Sequence, residues 1–184
     1  RVELCRSCHD GSYGDGGGVL AITNVQLSMS NCVIAGNTAL VGGGVWTGYG
    51  CGLDIANSVL ARNGPEEIYN EPLGPADLDV RYTAVLGGWP GEGNIGAPPG
   101  LVSRRGFDYL LAPGSPCIDS GDPSISDGLS DSHPLWPAWY PNGSRSDMGA
   151  YGGPCNGAWL GLPCEEGTPA LSQNGRGELL WDGR

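Results

Sequence analysis

The segment Asn31-Cys-Val-Ile-Ala-Gly-Asn-Thr-Ala-Leu-Val-Gly-Gly-Gly-Val45 decides the fold, because parts of it recur at a fixed distance along the chain. Its final Gly-Gly-Gly-Val, residues 42–45, repeats residues 16–19 after 26 positions. The same offset aligns residues 25–34 with residues 51–60. Repeats of this length indicate a solenoid, a propeller or an array. A looser copy follows at an offset of 25, aligning Leu78, Val80 and Val85 with Leu53, Ile55 and Leu60.

Apolar residues alternate with polar ones within each copy, which predicts short β-strands, and Gly, Asn or Asp follows each strand at a turn. Strands at one position per copy predict a parallel solenoid whose coils stack about 4.8 Å apart. A β-sandwich would explain the strands but not the fixed offset. Asn37 and Asn63 also align, and we expect their amides to hydrogen-bond each other along the stack. The side chains expected to be buried in columns are Leu27, Met29, Ile34, Leu53, Ile55, Leu60, Leu78 and Val80.

Residues 31–45 look like the repeat of bacterial right-handed parallel β-helix proteins. Residues 57–69 and 87–95 resemble the last coils of that group. The segments Asp108-Tyr-Leu-Leu-Ala-Pro-Gly-Ser-Pro-Cys-Ile-Asp-Ser-Gly-Asp122 and Arg145-Ser-Asp-Met-Gly-Ala-Tyr-Gly-Gly153 resemble its closing module, which is abundant in secreted and cell-surface proteins of planctomycete-like bacteria. The resemblance implies an all-β fold: a short right-handed parallel β-helix of about four coils with an irregular C-terminal cap.

The chain divides into three parts on this interpretation. Residues 1–100 form the coils, and turn signals from Pro113 onward mark the cap, residues 101–164, which is expected to close the end of the solenoid. Cys155 and Cys164 flank an eight-residue loop and are expected to be disulfide-bonded. Residues 165–184 are predicted to be a flexible tail or linker.

Composition excludes several classes of function. The 184 residues carry 9 basic and 20 acidic side chains, a net charge of −11, so no basic surface suits nucleic acid. No stretch approaches the roughly 20 apolar residues that a membrane-spanning helix needs. Seven cysteines in a chain of this size favour an extracytoplasmic location, where disulfides persist.

Cys5-Arg6-Ser7-Cys8-His9 matches the Cys-x-x-Cys-His pattern of c-type haem attachment, in which Cys5 and Cys8 bond the haem and His9 ligates the iron. The repeat register offers an alternative, because Cys8 lies 26 residues before the buried-type position Ile34. On that interpretation Cys8 is a small core residue and His9 faces outward. Both alternatives remain open, and a haem would need a distal ligand such as Met29, His133 or Met148.

Two further groups of side chains lie in the predicted cap. The first group is acidic; it could supply oxygens to calcium, or instead form a hydrogen-bonded turn network with Asp147 and Arg145. The second group is aromatic; it could stack on sugar rings, or instead cover the solenoid. The acidic group is Asp119, Asp122, Asp127 and Asp131, and the aromatic group is Trp136, Trp139 and Tyr140.

Three functions follow from these patterns. The leading one is an exported or cell-surface structural and adhesive module that binds glycans, with preceding coils or another subunit covering its N-terminal coil. The alternative is an electron-transfer subunit with haem at residues 5–9. The third is a polysaccharide-active enzyme, which is weakly supported because Glu66 and Glu67 are adjacent and would point to opposite faces of a strand.

Overall fold

The computed structural model describes residues 14–130, 132–140, 143, 145–162, 171–173 and 179–181. The described part is all-β, with one short 3₁₀ helix at Ala158–Leu160. Nine strands form three parallel three-stranded sheets, ordered β1-β4-β7, β2-β5-β8 and β3-β6-β9. These strands are β1 (Val19–Ala21), β2 (Gln26–Ser30), β3 (Val33–Ala35), β4 (Val45–Thr47), β5 (Gly52–Ala56), β6 (Val59–Ala61), β7 (Ile68–Asn70), β8 (Asp77–Arg81) and β9 (Ala84–Val85).

Two antiparallel hairpins complete the strand inventory of the described residues. One pairs β10 (Leu101–Arg104) with β11 (Phe107–Leu111), and the other pairs β12 (Leu171–Gln173) with β13 (Leu179–Trp181). The first hairpin lies in the segment predicted to be the cap.

The repeat register predicted from the sequence is confirmed. Leu27 pairs with Leu53, and Ile34 with Leu60, at an offset of 26. The next pairing follows the offset of 25, with Leu53 opposite Leu78 and Leu60 opposite Val85. In the third parallel sheet Val19 pairs with Val45 at the offset of 26, but Val45 pairs with Ile68 at an offset of 23.

The predicted interior columns are buried with two partial exceptions. The apolar core contains Met29, Ile34, Leu53, Ile55, Leu60 and Val80, each no more than 6% exposed. Leu27 and Leu78 pack against the same core but stay partly exposed. Both lie on the outer strands of their sheet, β2 and β8, as do the buried Met29 and Val80, whereas Leu53 lies on the central strand.

The repeated glycines permit the turns to approach closely. A Cβ atom on Gly43 would lie 2.1 Å from the carbonyl oxygen of Gly64, and one on Gly44 would lie 2.2 Å from that of Glu67. Gly17 and Gly18 meet the next repeat in the same way. The Gly-Gly-Gly motif is thus explained by backbone packing between repeats.

The predicted asparagine stack is also present. Asn37 donates both its backbone N–H (2.9 Å) and its Nδ2 (3.0 Å) to Oδ1 of Asn63. Asn63 in turn donates Nδ2 to the Ile34 carbonyl oxygen and to Glu67 Oε2. Both asparagines are buried, and the stack pairs the Asn37 amide nitrogen and both amide atoms of Asn63. Asn37 Oδ1 has no hydrogen-bond partner in the described part of the chain.

The cap packs against the outer face of sheet β3-β6-β9, a position that the repeat pattern does not predict. Val33, Val59 and Ala84 form one core with cap residues such as Leu110 and Met148. Segment 92–96 pairs with the end of the same sheet, since Val85 N–H donates to the Ile95 carbonyl oxygen. The cap therefore covers a side of the sheet stack.

A second asparagine row fastens the cap to the repeats. Asn31 donates its amide to the carbonyl oxygens of Asp147 and Gly149. Asn57 accepts the Asp122 N–H at Oδ1 (2.6 Å) and donates to Ser146 Oγ (3.3 Å). Asn57 is fully buried, so these bonds replace the water it gives up on folding.

Candidate functional site

The outer side of sheet β2-β5-β8 carries three polar rows, which we call the polar face. Strand alternation turns Leu53, Ile55 and Val80 inward and the intervening residues outward. Parallel pairing then aligns the outward residues from strand to strand. The rows are Gln26, Gly52 and Asp77; Ser28, Asp54 and Asp79; and Ser30, Ala56 and Arg81.

Arg81 organises the carboxylates of the polar face. Its Nη1 lies 2.5 Å from Asp54 Oδ1 and 2.8 Å from Asp79 Oδ2, and its Nη2 lies 3.3 Å from Asp54 Oδ2. The hydrogen bond with Asp54 raises the pKa of Arg81 further above its ordinary value. The three side chains stay 30–67% exposed, so this arrangement positions charges at the surface and adds little stability.

A shallow groove of about 390 Å³ runs over the polar face. Its walls include the side chains of Ser28, Asp54, Asp77 and Asp79. Gly52 lies at its floor, where the Gln26 amide occupies the space that a larger side chain would fill. The groove offers hydroxyl, amide and carboxylate groups in register at strand spacing, which suits ligands with regularly spaced hydroxyl groups.

The residues of this groove are not among the site residues predicted from the sequence. The signal was available, because the repeat alignment that places Leu53 and Leu78 inward also places Asp54 and Asp79 outward on adjacent strands. The contact of Arg81 with both aspartates could not be predicted from the sequence, because the repeat does not determine the direction of a side chain at the end of β8.

The cap aspartates act mainly as acceptors for backbone N–H groups. Asp119 accepts from Arg145 N–H, and Asp122 accepts from Ser124 at both its backbone N–H and its hydroxyl. Asp127 accepts from Gly153 N–H. These contacts match the turn network considered as the alternative to calcium. Within the described residues, no group of three or more His, Cys, Asp or Glu side chains is arranged to hold a metal ion.

Two carboxyls of the cap each have one buried oxygen atom without a hydrogen-bond partner among the described residues. Asp147 is fully buried, and its Oδ1 accepts the Asp119 N–H at 2.8 Å. Oδ2 of Asp147 and Oδ2 of Asp127 have no hydrogen-bond partner in the described part of the chain. Desolvation raises the pKa of Asp127 to about 6 and that of Asp147 to about 7. The negative charge of Asp127 also raises the pKa of Asp147, and that of Asp119 raises the pKa of both.

We expect the free energy of unfolding to fall as the pH rises from about 4 to about 7. The unfolded carboxyls lose their protons near pH 3.8, whereas Asp127 and Asp147 keep theirs in the folded state up to about pH 6 and 7. Each contributes a slope of up to about 1.4 kcal/mol per pH unit within that window. Urea unfolding at pH 4.5, 6.0 and 7.5 measures it.

The matched variants for the pH experiment are Asp127→Asn and Asp147→Asn, which keep the accepting Oδ1 and cannot titrate. Each is expected to flatten the pH dependence. Asp122 has a lowered pKa because Ser124 donates two hydrogen bonds to it, so it titrates below this window and does not confound the result. A wild-type slope of zero, or one that both variants retain, would contradict the assignment.

The aromatic residues of the cap form a packed cluster. Trp136 and Tyr140 are buried, and the Trp136 Nε1 donates to the Tyr140 carbonyl oxygen at 3.1 Å. The Trp159 ring meets both of their rings edge-on. Trp139 remains partly exposed, with the guanidinium groups of Arg104 and Arg105 about 5 Å from its ring centroid. Burial favours the packing alternative for Trp136 and Tyr140, and glycan stacking remains a prediction for Trp139.

The remaining predicted site residues are placed as follows. Cys5, Cys8, His9 and Asp131 lie outside the described residues. Met29 and Met148, considered as distal haem ligands, are buried in two separate cores. Cys155 is disulfide-bonded, and its predicted partner Cys164 lies outside the described residues.

Glu66 and Glu67 both serve the turns between repeats. Glu66 accepts the Gly42 N–H at 2.9 Å, and Glu67 accepts from Asn63 at its backbone and its amide. Desolvation raises the pKa of Glu67. Their hydrogen bonds give both carboxylates a structural role in the stack.

No protein-family model, curated protein or solved structure matches the chain. In the described part of the chain, no helix is both long enough and apolar enough to cross a membrane.

Proposed function

We propose that this chain is an exported or cell-surface structural and adhesive module: a short right-handed parallel β-helix of about four coils, with an irregular C-terminal cap, that binds glycans on its polar face. The observation that carries the proposal is the alignment of outward Ser28, Asp54 and Asp79 in one row beside the groove. A solenoid repeats its surface groups at strand spacing, which matches a polymer that repeats its own hydroxyl groups.

The chemistry of the groove favours neutral sugars. Carboxylate oxygens accept hydrogen bonds from hydroxyl groups, and ionised acceptors form stronger bonds than neutral ones. Arg81 holds Asp54 and Asp79 in fixed positions, which lowers the entropy lost when a ligand binds. Asp77, a groove residue without an ion pair in the described part of the chain, disfavours an anionic polymer here.

Affinity electrophoresis in gels containing hydroxyethyl cellulose, galactomannan or laminarin tests the proposal. We expect at least one polymer to retard the wild-type chain, and Asp54→Asn/Asp79→Asn to lose most of that retardation because the ionised acceptors are removed. The matched control is Asp15→Asn/Asp108→Asn, which changes the same number of exposed carboxylates away from the groove. Absence of retardation by all three polymers, or equal retardation of both double variants, would refute glycan binding at the polar face.

The module is proposed to belong to a larger assembly. Among the described strands, β1 and β2 lie at the outer edge of their sheets, and Leu20, Ile22 and Val25 beside them are 37–52% exposed. An open strand edge next to exposed apolar side chains favours pairing with another strand. Preceding coils or another subunit would cover this edge, and sedimentation velocity over a concentration series tests whether the chain associates by itself.

The polysaccharide-cleaving alternative is less well supported by this geometry. Asp54 and Asp79 are carboxylates on neighbouring strands of the groove, but the Arg81 guanidinium contacts both of them, where a glycosidic oxygen would have to bind. Reducing-sugar release from the same three polymers would reveal cleavage.

The haem alternative rests on residues 5–9 alone, and an absorbance spectrum of the reduced protein tests it directly. A sharp haem α band would establish the cofactor, and its absence would remove this alternative.

A further inference from the structure

A second cavity lies apart from the polar face, between the turns after β3 and β6 and the β10–β11 hairpin. Its volume is about 240 Å³, and we call it the hairpin pocket. This volume is below the roughly 300–1,000 Å³ of pockets that enclose drug-sized ligands, so it suits a single ring. The residues that line it include Ala35, Gly36, Arg62, Leu101, Ser103 and Tyr109.

Arg62 occupies a backbone position that favours glycine. It follows Ala61 as Gly36 follows Ala35, since Ala35 pairs with Ala61 at the end of β3 and β6. Both residues adopt left-handed backbone conformations, with φ of 73° at Gly36 and 61° at Arg62. Glycine adopts this conformation freely, whereas a residue with a Cβ atom is strained. The chain thus keeps an arginine where local structure would prefer glycine.

The space beside Arg62 is open. A Cβ atom on Gly36 would have no heavy atom within 4 Å, and the same is true of Gly87 in the next turn. The Arg62 side chain is exposed and therefore stands in a trough between two turns that lack side chains. A larger residue at Gly36 would narrow the pocket.

The Arg62 guanidinium has no hydrogen-bond, ion-pair or ring partner among the described residues, and Arg105 there has only the ring contact with Trp139. Arg81 pairs with Asp54 and Asp79. Arg104 donates to the Trp139 carbonyl oxygen, and Arg145 donates to that of Gly121. An uncommitted guanidinium is unexpected in a chain of net charge −11, where carboxylates outnumber arginines by about two to one.

Tyr109 supplies the second recognition element. It is partly buried, and its φ of 62° places a second non-glycine residue of this pocket in the left-handed region. Two of the ten described non-glycine residues with a positive φ thus line this pocket, and such strained conformations occur at ligand sites where the surrounding structure holds them. Leu101 and Ala35 add apolar surface, and Ser103 adds a hydroxyl group.

We propose that the hairpin pocket binds a ring that carries a carboxylate, with the carboxylate on the Arg62 guanidinium and the ring against Tyr109. Guanidinium groups bind carboxylates through two parallel N–H···O bonds, which fixes orientation as well as charge. A sugar acid and a free aromatic acid share this chemistry.

The acidic net charge does not prevent an anion from binding here. Surface charges more than about 8 Å away are largely screened at physiological ionic strength. Of the nearby acids, Glu67 is engaged by Asn63 and Glu66 by the Gly42 N–H. Asp108, next to Tyr109 in the chain, is exposed to solvent.

The principal variant is Arg62→Gly, which installs the residue that the neighbouring turn already uses. Because glycine adopts a positive φ without strain, we expect this variant to unfold at the same urea concentration as the wild type or at a higher one. Loss of binding would then not reflect loss of the fold. The matched control is Arg105→Gln, which removes one positive charge from the β10–β11 hairpin. The Arg105 guanidinium lies over the Trp139 ring and does not line the pocket.

Titration of the ¹⁵N-labelled chain with sodium glucuronate, sodium benzoate and glucose tests the proposal by NMR. We expect saturable shifts of the Ser103 and Tyr109 amides with at least one carboxylate and none with glucose. Arg62→Gly should weaken binding at least tenfold, about 1.4 kcal/mol, and Arg105→Gln should leave it within a factor of about two.

The comparison of the two acids identifies the source of the ligand: stronger glucuronate binding indicates a sugar acid, and stronger benzoate binding indicates a free aromatic acid. Asp54→Asn/Asp79→Asn should leave both titrations unchanged, which separates this site from the polar face. Absence of saturable shifts with both acids, or shifts that Arg62→Gly retains, would overturn the proposal.

Discussion

Replacing Gly43 by alanine is expected to lower the free energy of unfolding by about 3 kcal/mol or more, because the added methyl group has no space. Its Cβ atom would lie 2.1 Å from the Gly64 carbonyl oxygen and 2.6 Å from the carbonyl carbon. These are backbone atoms, which cannot rotate away as a side chain can. Relief would require the two turns to separate, breaking the hydrogen bond from Gly64 N–H to the Asn37 carbonyl oxygen nearby. Urea denaturation followed by circular dichroism measures the loss.

Gly36→Ala is the control that separates steric clash from backbone strain. A Cβ atom on Gly36 meets nothing within 4 Å, but the residue has a φ of 73°. We therefore expect a loss of only about 1–2 kcal/mol, the cost of the left-handed conformation. Equal losses for the two variants would show that close approach of the turns is not what the Gly-Gly-Gly motif provides.

The register of the sheets could be predicted because the repeats stack along one direction and each contacts only its neighbours. Each repeat contacts its neighbours through the same positions, so one aligned pair such as Ile34 and Leu60 determines the pairing of its whole strand. A shift by one residue would move every apolar side chain to the outer face. Periodicity therefore carried most of the information about residues 16–85.

The position of the cap could not be predicted, because the cap has no period. Asn31 and Asn57 occupy the same place in two repeats and suggest an asparagine stack like that of Asn37 and Asn63. They bond instead to Asp147, Gly149, Asp122 and Ser146, more than 60 residues away. Such long-range polar contacts depend on the path of the cap, which no local pattern encodes.

The candidate sites differ in the same way: one lies within the repeats, and the other depends on the position of the cap. Outward Asp54 and Asp79 follow from strand alternation and could have been identified from the repeat. The hairpin pocket joins Arg62 of the repeats to Tyr109 of the cap hairpin, so it appears only when both parts are in place. For Trp136 the sequence left two interpretations open, stacking on sugar rings or covering the solenoid, and only the structure shows that the residue is buried.

Replacing Leu53 by alanine is expected to cost about 2–5 kcal/mol, the range for leucine in a close-packed core. Leu53 is 3% exposed and lies on the central strand between Leu27 and Leu78, both of which pack against the same core. Rigid strands on both sides prevent the cavity from collapsing, which favours the upper part of that range. Leu73→Ala is the matched control, since Leu73 is 91% exposed and its loss should change stability by no more than about 0.5 kcal/mol. A cost below about 1 kcal/mol for Leu53→Ala would mean that this column is loosely packed, because a close-packed leucine cannot be truncated so cheaply.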